Sequence, residues 1–220
     1  MPAEALRRAL DPALVDFRYV NFPASYGPAT GIGDLSYAES VRAGMKAMLH
    51  EVRATPHPAI LSGYSQGAAV AVRFARDILP GAHDLDVRAV ATMGNPYQPR
   101  HSGRSGIAGA LSVPRPLLSV IAPGDPIADL PAGSPIRTVA DMTAWMSLRS
   151  IEDVRLWGLD VLENLPTKWQ RWWEPLRWPA IEAAPRDVLR YIDGSAHMRD
   201  YISGGHVARL ARMVEGVAAA

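Results

Sequence analysis

The chain has 220 residues, of which 48% are hydrophobic, and this size suits one domain with a full apolar core or one domain that carries an insertion. The formal net charge of +1 argues against a nucleic-acid-binding protein, because such proteins depend on many cationic contacts to phosphates. The absence of cysteine excludes disulfides, thiol catalysis and cysteine ligands to a metal.

The predicted elements alternate between helices and strands. Apolar positions at helical spacing predict helices at residues 3–10, 36–53 and 68–79. Runs rich in apolar and β-branched residues predict strands at residues 14–20, 58–61, 87–93 and 117–121. Strands that alternate with helices are typical of parallel βαβ units. The predicted fold class is therefore α/β, with a mostly parallel central sheet between two helical layers.

The pattern becomes helical after residue 133, with predicted helices at residues 136–162, 185–191 and 205–217. We therefore expect a single domain, residues 1–220, with a helical insertion at residues 133–190. This part includes a ten-residue stretch with four tryptophans, namely Trp169, Trp172, Trp173 and Trp178. They either pack an inserted helical layer against the sheet or form an amphipathic surface for a lipid substrate.

No apolar run at the N-terminus has the length of a signal-peptide core, and no run elsewhere has the length of a membrane span. The sequence therefore predicts a soluble protein without an export signal.

The sequence Gly-Tyr-Ser-Gln-Gly at residues 63–67 lies between a predicted strand and a predicted helix. It matches G-x-S-x-G, the nucleophile elbow, in which a serine stands on a strained strand-to-helix turn. Gly63 and Gly67 would let the strand and the helix approach closely. The free N–H groups at the start of the helix would point to the position where an oxyanion forms. Ser65 is therefore the candidate nucleophile, and the alternative is a glycine-flanked turn with a chance serine.

A candidate acid follows the fourth predicted strand. The sequence Gly-Asp-Pro at residues 124–126 places Asp125 at the carboxyl end of that strand, on the same sheet edge as Ser65. Ligands bind at this edge in open α/β sheets. Asp129, four residues later, is the second candidate, and Gly-Asp-Pro is also ordinary turn chemistry.

Two of the six histidines follow Asp125, as the chain order serine, acid, histidine requires. His197 lies in a predicted loop before a short helix, whereas His206 lies at the predicted start of the C-terminal helix. The loop position favours His197 as the base, although either side chain could be a solvated surface histidine.

These motifs together resemble the cutinase-like α/β-hydrolases, and most of all the lysin B esterases of mycobacteriophages, with relatives among the mycobacterial PE-PPE and cutinase-like proteins. The matching segments are residues 19–24, 63–68, 94–96 and 124–126, and His197 followed closely by Tyr201. The lack of cysteine is also similar to lysin B, as are the 72 positions from Asp125 to His197, where lysin B carries a helical insertion.

The resemblance implies a serine esterase in which Ser65 attacks an ester carbonyl and His197 transfers the proton. Asp125 would orient the imidazole, and the backbone N–H of Gln66 would stabilise the oxyanion, with no cofactor or metal. The implied substrate is a lipid ester, the mycolic acid ester of the mycobacterial envelope. The enzyme would act during phage-mediated lysis, after release from the host cytoplasm.

Two other functions fit the same motifs. One is a cutinase-like lipase or thioesterase that acts on other acyl esters. The other is a non-catalytic or weakly active envelope-binding protein that keeps the hydrolase fold.

One family feature has no counterpart in this sequence. The strand predicted at residues 14–20 matches the family's second strand, so the usual first strand, and the loop that supplies one oxyanion N–H, are expected to be absent. The chain would then be a truncated reading frame, a weakly active protein, or an active variant with another donor. A backbone N–H near Ser25 and Tyr26 is the candidate replacement.

Overall fold

The computed structural model of the chain describes residues 1–147, 150–168 and 178–220. The helices in chain order are α1 (Pro2–Ala9), α2 (Tyr37–Arg53), α3 (Gln66–Asp77), α4 (Ile136–Thr143), α5 (Ile151–Lys168), α6 (Trp178–Ile192), α7 (Asp200–Ser203) and α8 (His206–Ala218). The strands are β1 (Ala59–Tyr64), β2 (Val87–Met93), β3 (Arg104–Ser105), β4 (Leu117–Val120) and β5 (Leu130–Pro131).

The described sheet at the centre contains three parallel strands in the order β1-β2-β4. Leu61 is opposite Val90, and Ala91 is opposite Leu118, so the carboxyl ends of the three strands meet at one edge. A short antiparallel pair, β3 with β5, lies outside this sheet.

Successive residues of the sheet face different helical layers, as a strand requires. Val90 packs with α2 and α3 in one apolar cluster, whereas Ala91 packs with α1 and α8 in another. The sheet therefore lies between two helical layers, which confirms the predicted α/β fold class.

The helix α2 begins where its sequence specifies a start. Ser36 caps α2: its hydroxyl accepts from the backbone N–H of Glu39, and the Glu39 carboxylate accepts from the Ser36 N–H. This reciprocal pair forms a capping box. The apolar face of the helix, including Val41 and Met48, then packs toward the sheet.

The strand predicted at residues 14–20 is wrong. Residues 15–20 run without a ladder partner in the described part of the chain, and β1 is therefore an edge strand there. Side chains hold the segment instead: the Tyr19 hydroxyl donates to Glu4 of α1 at 2.6 Å, and Phe17 packs on the cluster beside α1. The β-forming residue types favour a strand, but pairing depends on a neighbouring strand that composition does not reveal.

The region after residue 133 is helical, as predicted, but the boundaries differ. The helix predicted at residues 136–162 is divided into α4 and α5, and α6 begins at Trp178 with Pro185 in its interior. Trp178 is 56% exposed, so it does not pack in the core, and Trp169, Trp172 and Trp173 lie outside the described residues. The assignment of residues 133–190 as an insertion in a single domain stays a prediction.

None of the helices within the described ranges is long and apolar enough to cross a membrane.

Candidate active site

Ser65 stands at the turn between β1 and α3. Its φ is +57°, a left-handed conformation that is costly for a residue with a side chain. A Cβ atom on Gly63 would lie 2.2 Å from the backbone of Gly67, so glycine is required at position 63 for this close approach. A Cβ atom on Gly67 would meet nothing within 4 Å, so the predicted steric need for the second glycine is wrong.

Asp125 lies in the turn that follows β4 and is fully buried. Gly124, with a φ of +75°, forms the turn that brings the carboxylate to the sheet edge. The Asp125 Oδ1 accepts from the backbone N–H of Ile127 at 2.9 Å, which fixes the orientation of the carboxylate.

His197 lies in a single π-helical turn, Ser195–Arg199, that precedes α7. Its Nδ1 lies 2.9 Å from Asp125 Oδ1, and its Nε2 lies 2.8 Å from Ser65 Oγ. The imidazole is 6% exposed. Both distances are satisfied when Nδ1 carries the proton for Asp125 and Nε2 accepts from the Ser65 hydroxyl. The structure thus brings the three predicted residues into one hydrogen-bonded chain, an arrangement that can deprotonate a serine hydroxyl.

Two tyrosines contact the hydrogen-bonded residues Asp125 and His197. The hydroxyl of Tyr201 donates to Asp125 Oδ2 at 2.7 Å, and burial together with the Asp125 charge raises the pKa of Tyr201 above its ordinary value. The ring of Tyr64 stacks on His197 with 5.0 Å between centroids, and its hydroxyl donates to the His197 carbonyl. Sequence reasoning gave neither residue a role. The position of Tyr64 inside the Gly-Tyr-Ser-Gln-Gly motif was the one local signal for it.

Gly94, in the turn after β2, packs against His197 and Asp125. Its φ is +59°, and a Cβ atom there would lie 2.9 Å from the His197 ring and 3.4 Å from Asp125 Oδ2. The turn after β2 therefore packs directly against the imidazole and the carboxylate.

The two alternative candidates lie elsewhere. Asp129 accepts from His101 at 2.9 Å, from Arg104 at 2.7 Å and from the backbone N–H of Gly124 at 2.7 Å. Burial raises the pKa of Asp129, but the Gly124 N–H and the Arg104 guanidinium outweigh it and hold the pKa below its ordinary value. Asp129 therefore anchors the turn that carries Asp125, and its carboxylate is bound by His101, Arg104 and Gly124.

His206 begins α8 and contacts Tyr201, with 5.9 Å between the ring centroids. It makes no hydrogen bond to Ser65 or Asp125 in the described structure.

The predicted oxyanion donor, the backbone N–H of Gln66, is the first N–H of α3 and has no acceptor within the helix. The side-chain Nε2 of Gln66 donates to the Ser25 carbonyl at 2.9 Å, which places residues 24–26 beside the elbow.

The predicted replacement donor, a backbone N–H near Ser25 and Tyr26, is not the N–H of either of these two residues. The Ser25 N–H donates to Ser40 Oγ at 3.1 Å, and the Tyr26 N–H donates to Thr30 Oγ1 at 2.9 Å, so both groups are already used. The Ser25 hydroxyl, by contrast, is buried and has no hydrogen-bond partner among the described residues. This segment therefore offers a side-chain donor beside the elbow.

Arg190 of α6 links the two loops that carry Asp125 and His197. Its Nη2 donates to the Pro123 carbonyl at 3.2 Å and to Asp200 Oδ2 at 3.3 Å. Its guanidinium also lies against Gly124, where a Cβ atom would be only 2.2 Å from Nη1. The helix that precedes His197 therefore contacts the turn of Asp125 directly.

A comparison with protein-family models matches residues 2–135 to the family described as Cutinase, and this match covers more than half of the chain. The match includes Ser65 and Asp125 and ends before His197. No curated protein matches the chain. The family consists of carboxylic ester hydrolases, and its α/β-hydrolase fold agrees with the parallel sheet between helical layers. The chain therefore belongs to the cutinase family.

Proposed function

We propose that this protein is a serine esterase whose catalytic residues are Ser65, His197 and Asp125. The observation that carries the proposal is the hydrogen-bonded chain from Ser65 Oγ through the imidazole to Asp125 Oδ1, with distances of 2.8 and 2.9 Å. It ends on a serine with strained backbone at a strand-to-helix turn, which is the context of an elbow nucleophile.

The reaction follows from this geometry. Ser65 Oγ bonds to the ester carbonyl carbon while its proton passes to His197 Nε2. The C–O bond to the leaving alcohol then breaks, and the alcohol takes the proton from Nε2. Water attacks the acyl-serine in the same manner, with His197 as base, and releases the acid. Asp125 holds the imidazole through Nδ1 and stabilises its positive charge in both steps.

The oxyanion of each tetrahedral intermediate needs hydrogen-bond donors. The first donor in this proposal is the Gln66 N–H. The second is the hydroxyl of Ser25, because it is a buried donor without a partner beside the elbow. A hydroxyl that donates to no ground-state group is free to bind charge that forms only during the reaction.

The substrate we propose is the mycolic acid ester of the mycobacterial envelope, cleaved during phage-mediated lysis after release from the host cytoplasm. The support is the resemblance of the elbow and acid motifs to lysin B, the lack of cysteine, and the helices α4, α5 and α6 between Asp125 and His197. A cutinase-like lipase or thioesterase is the second candidate, because the family match itself favours general ester hydrolysis.

A fluorophosphonate probe tests the enzymatic part. Wild-type protein should be labelled, and Ser65→Ala protein should be neither labelled nor active, because the hydroxyl that forms the covalent bond is lost. Circular dichroism should be the same for both. Turnover of p-nitrophenyl butyrate by Ser65→Ala near the wild-type rate would disprove the assignment of the nucleophile.

Substrate class needs a second assay that compares p-nitrophenyl butyrate with purified mycolyl-arabinogalactan. Release of mycolic acid supports the envelope ester. Turnover of the small ester alone supports the lipase or thioesterase instead. If the probe does not label the protein and neither substrate is hydrolysed, the protein is a non-catalytic member of the fold.

A further inference from the structure

A surface cleft with a volume of about 410 Å³ lies between the loop at residues 100–110 and α4. Its lining contains three arginines, Arg100, Arg104 and Arg137, and one carboxylate, Asp141. No residue of the hydrogen-bonded chain at Ser65 lines this cleft. It is therefore a separate site.

Arg137 supplies a fixed positive charge to the cleft. It is only 6% exposed, and its N–H groups donate to the backbone carbonyls of Ser105, Gly106, Ile107, Leu130 and Pro131. None of these partners carries a charge. Burial lowers the pKa of Arg137 to about 10, and the nearby charges of Arg100 and Arg104 act in the same direction. The guanidinium still carries its charge at neutral pH, so the cleft keeps a buried cation bound by neutral groups.

The two other arginines retain donors for a ligand. Arg104 uses Nε and Nη2 on Asp129, but its Nη1 makes no hydrogen bond to any described residue. Arg100 is exposed and forms no hydrogen bond or ion pair within the described ranges. The Asp141 charge opposes the arginines in part, since it raises the pKa of Arg137. Asp129 pairs with Arg104, but the three guanidinium groups still outnumber the carboxylates of Asp129 and Asp141, which favours an anion at this position.

Apart from Ser105, the rest of the lining is small or apolar. Ile107, Ala108, Ala110 and Ala132 form its apolar wall. An apolar wall cannot stabilise the anion itself, but it can cover a hydrocarbon chain that is attached to one.

We propose that this cleft binds an amphiphilic anion, with its carboxylate or phosphate on Arg100 and Arg104 and its short apolar chain against Ile107 and Ala108. The buried guanidinium of Arg137 contributes charge but no hydrogen bond, because all its donors are used. The proposal does not depend on esterase activity, since it rests on the lining of the cleft alone.

Calorimetric titration of the full chain tests the proposal with sodium octanoate and octyl phosphate as probes. At least one should bind, and the tighter of the two identifies the head group. Inorganic phosphate and 1-octanol should each bind at least about 10-fold more weakly, because each lacks one half of the ligand. Equal binding of either one would contradict the two-part site, and absence of binding by both amphiphiles would overturn the proposal.

Two variants locate the binding. Arg100→Ala should weaken octanoate binding about 10-fold or more, as expected for one charge-assisted hydrogen bond. Ala110→Trp should abolish binding, because the exposed Ala110 can carry a larger side chain into the cleft without a core change. Arg212→Ala is the control for loss of one exposed arginine elsewhere, on α8, and should bind octanoate as the wild type does. If both cleft variants bind octanoate as the wild type does, the ligand lies elsewhere and the proposal is wrong.

Discussion

Two residues beside the elbow have an unfavourable backbone conformation. Ala24 and Ser65 have φ values of +51° and +57°, a region that costs a residue with a side chain about 1 to 3 kcal/mol. Ala24 directly precedes Ser25, whose hydroxyl is buried without a partner, and the side chain of Gln66 ties this segment to the elbow. The strain therefore occurs on both sides of the place where the proposed oxyanion forms, and this position gives it a functional interpretation.

Ser25→Ala should lower kcat for p-nitrophenyl butyrate by about 10²- to 10³-fold, the usual effect of one lost oxyanion donor. KM should change little, because the donor acts on charge that is absent from the bound ester. Ser25→Thr keeps the hydroxyl and should retain a larger part of the activity.

Ser134→Ala is the matched control for this change. Ser134 is also fully buried with an unpartnered hydroxyl, but it lies just before α4. Its replacement should leave kcat unchanged. Similar losses in both serine variants would mean that any buried hydroxyl matters for folding, and the role of Ser25 would be lost.

Sequence patterns predicted the candidate catalytic residues, but they did not predict the contacts that hold these residues in place. Ser65 has a local signature, and Asp125 was identified from its place after a strand, so both positions could be predicted one at a time. Gly94 and Tyr201 were found only as matches to the family, and their roles could not be predicted, because each acts through a contact between distant segments: Tyr201 lies 76 positions from Asp125, and Gly94 is restricted by His197. Periodicity within one element carries no information on such pairs.

At the scale of elements, the short π-helical turn at residues 195–199 positions the imidazole of the proposed base. His197 lies in one π-helical turn between α6 and α7, and its imidazole is held by Asp125 and Tyr64 from other elements. A sequence pattern predicts a loop here because no helical period is present. Tertiary contacts hold the turn, and Arg190 near the end of α6 contacts Asp200, the residue that follows it.

Arg190→Ala should lower kcat about 10- to 10²-fold, because small displacements of catalytic groups have effects of this size. The change removes the link from Asp200 to the Pro123 carbonyl, so His197 and Asp125 would lose their fixed separation. We also expect an altered pH profile of kcat, since the contact between the imidazole and the carboxylate is loosened. A purely structural role would lower stability without changing that profile.

Arg186→Ala is the control on the same helix. Arg186 is exposed and makes no hydrogen bond to a described residue, yet it carries the same charge. Arg190→Lys should show an intermediate kcat, because an ammonium keeps the charge but cannot bridge two acceptors in the same plane. Wild-type kcat and pH profile in Arg190→Ala would rule out a positioning role.

The elements also differ in how well they could be predicted. The helix α2 has a capping box and one apolar face, so its limits were correct within one residue. The helix predicted at residues 136–162 was wrong at residues 144–147, because apolar spacing continued through a segment that turns. Residues 15–20 show the same limit for strands: their composition favours an extended chain, whereas a ladder needs a partner.

At the scale of the whole molecule, the proposed triad joins two parts of the chain. Ser65 and Asp125 come from the part that matches the family, whereas His197 comes after the helices α4, α5 and α6. Among these helices, α6 places a carboxylate, Asp187, in a buried position near Asp129 and Arg104. One oxygen of Asp187 has no hydrogen-bond partner in the described ranges. Burial of the ionised Asp187 carboxylate, next to the turn that carries Asp125, should therefore lower the stability of the fold.

The pH dependence of stability tests this reading of Asp187. Burial raises its pKa above the ordinary value, and nearby arginines offset this only in part. Because the pKa is raised in the folded state, the folded chain holds the proton more tightly than the unfolded chain does. Ionisation of Asp187 thus lowers the free energy of unfolding. This loss is absent below the ordinary aspartate pKa of about 3.9. It grows as the pH rises from there to the folded-state pKa, and it is constant at higher pH.

Asp187→Asn should therefore raise the melting temperature at pH 7, by about 2 to 4 °C if the cost is about 1 kcal/mol. The difference from the wild type should shrink as the pH approaches 4 and vanish below it, because both side chains are then neutral. Glu182→Gln, an exposed carboxylate on the same helix, should have no such effect. Scanning calorimetry of the three proteins from pH 3.5 to 8 measures both trends. A lower melting temperature for Asp187→Asn at pH 7 would show that the carboxylate stabilises the docked helix instead, through charge interactions with Arg104, Arg186 and Arg190.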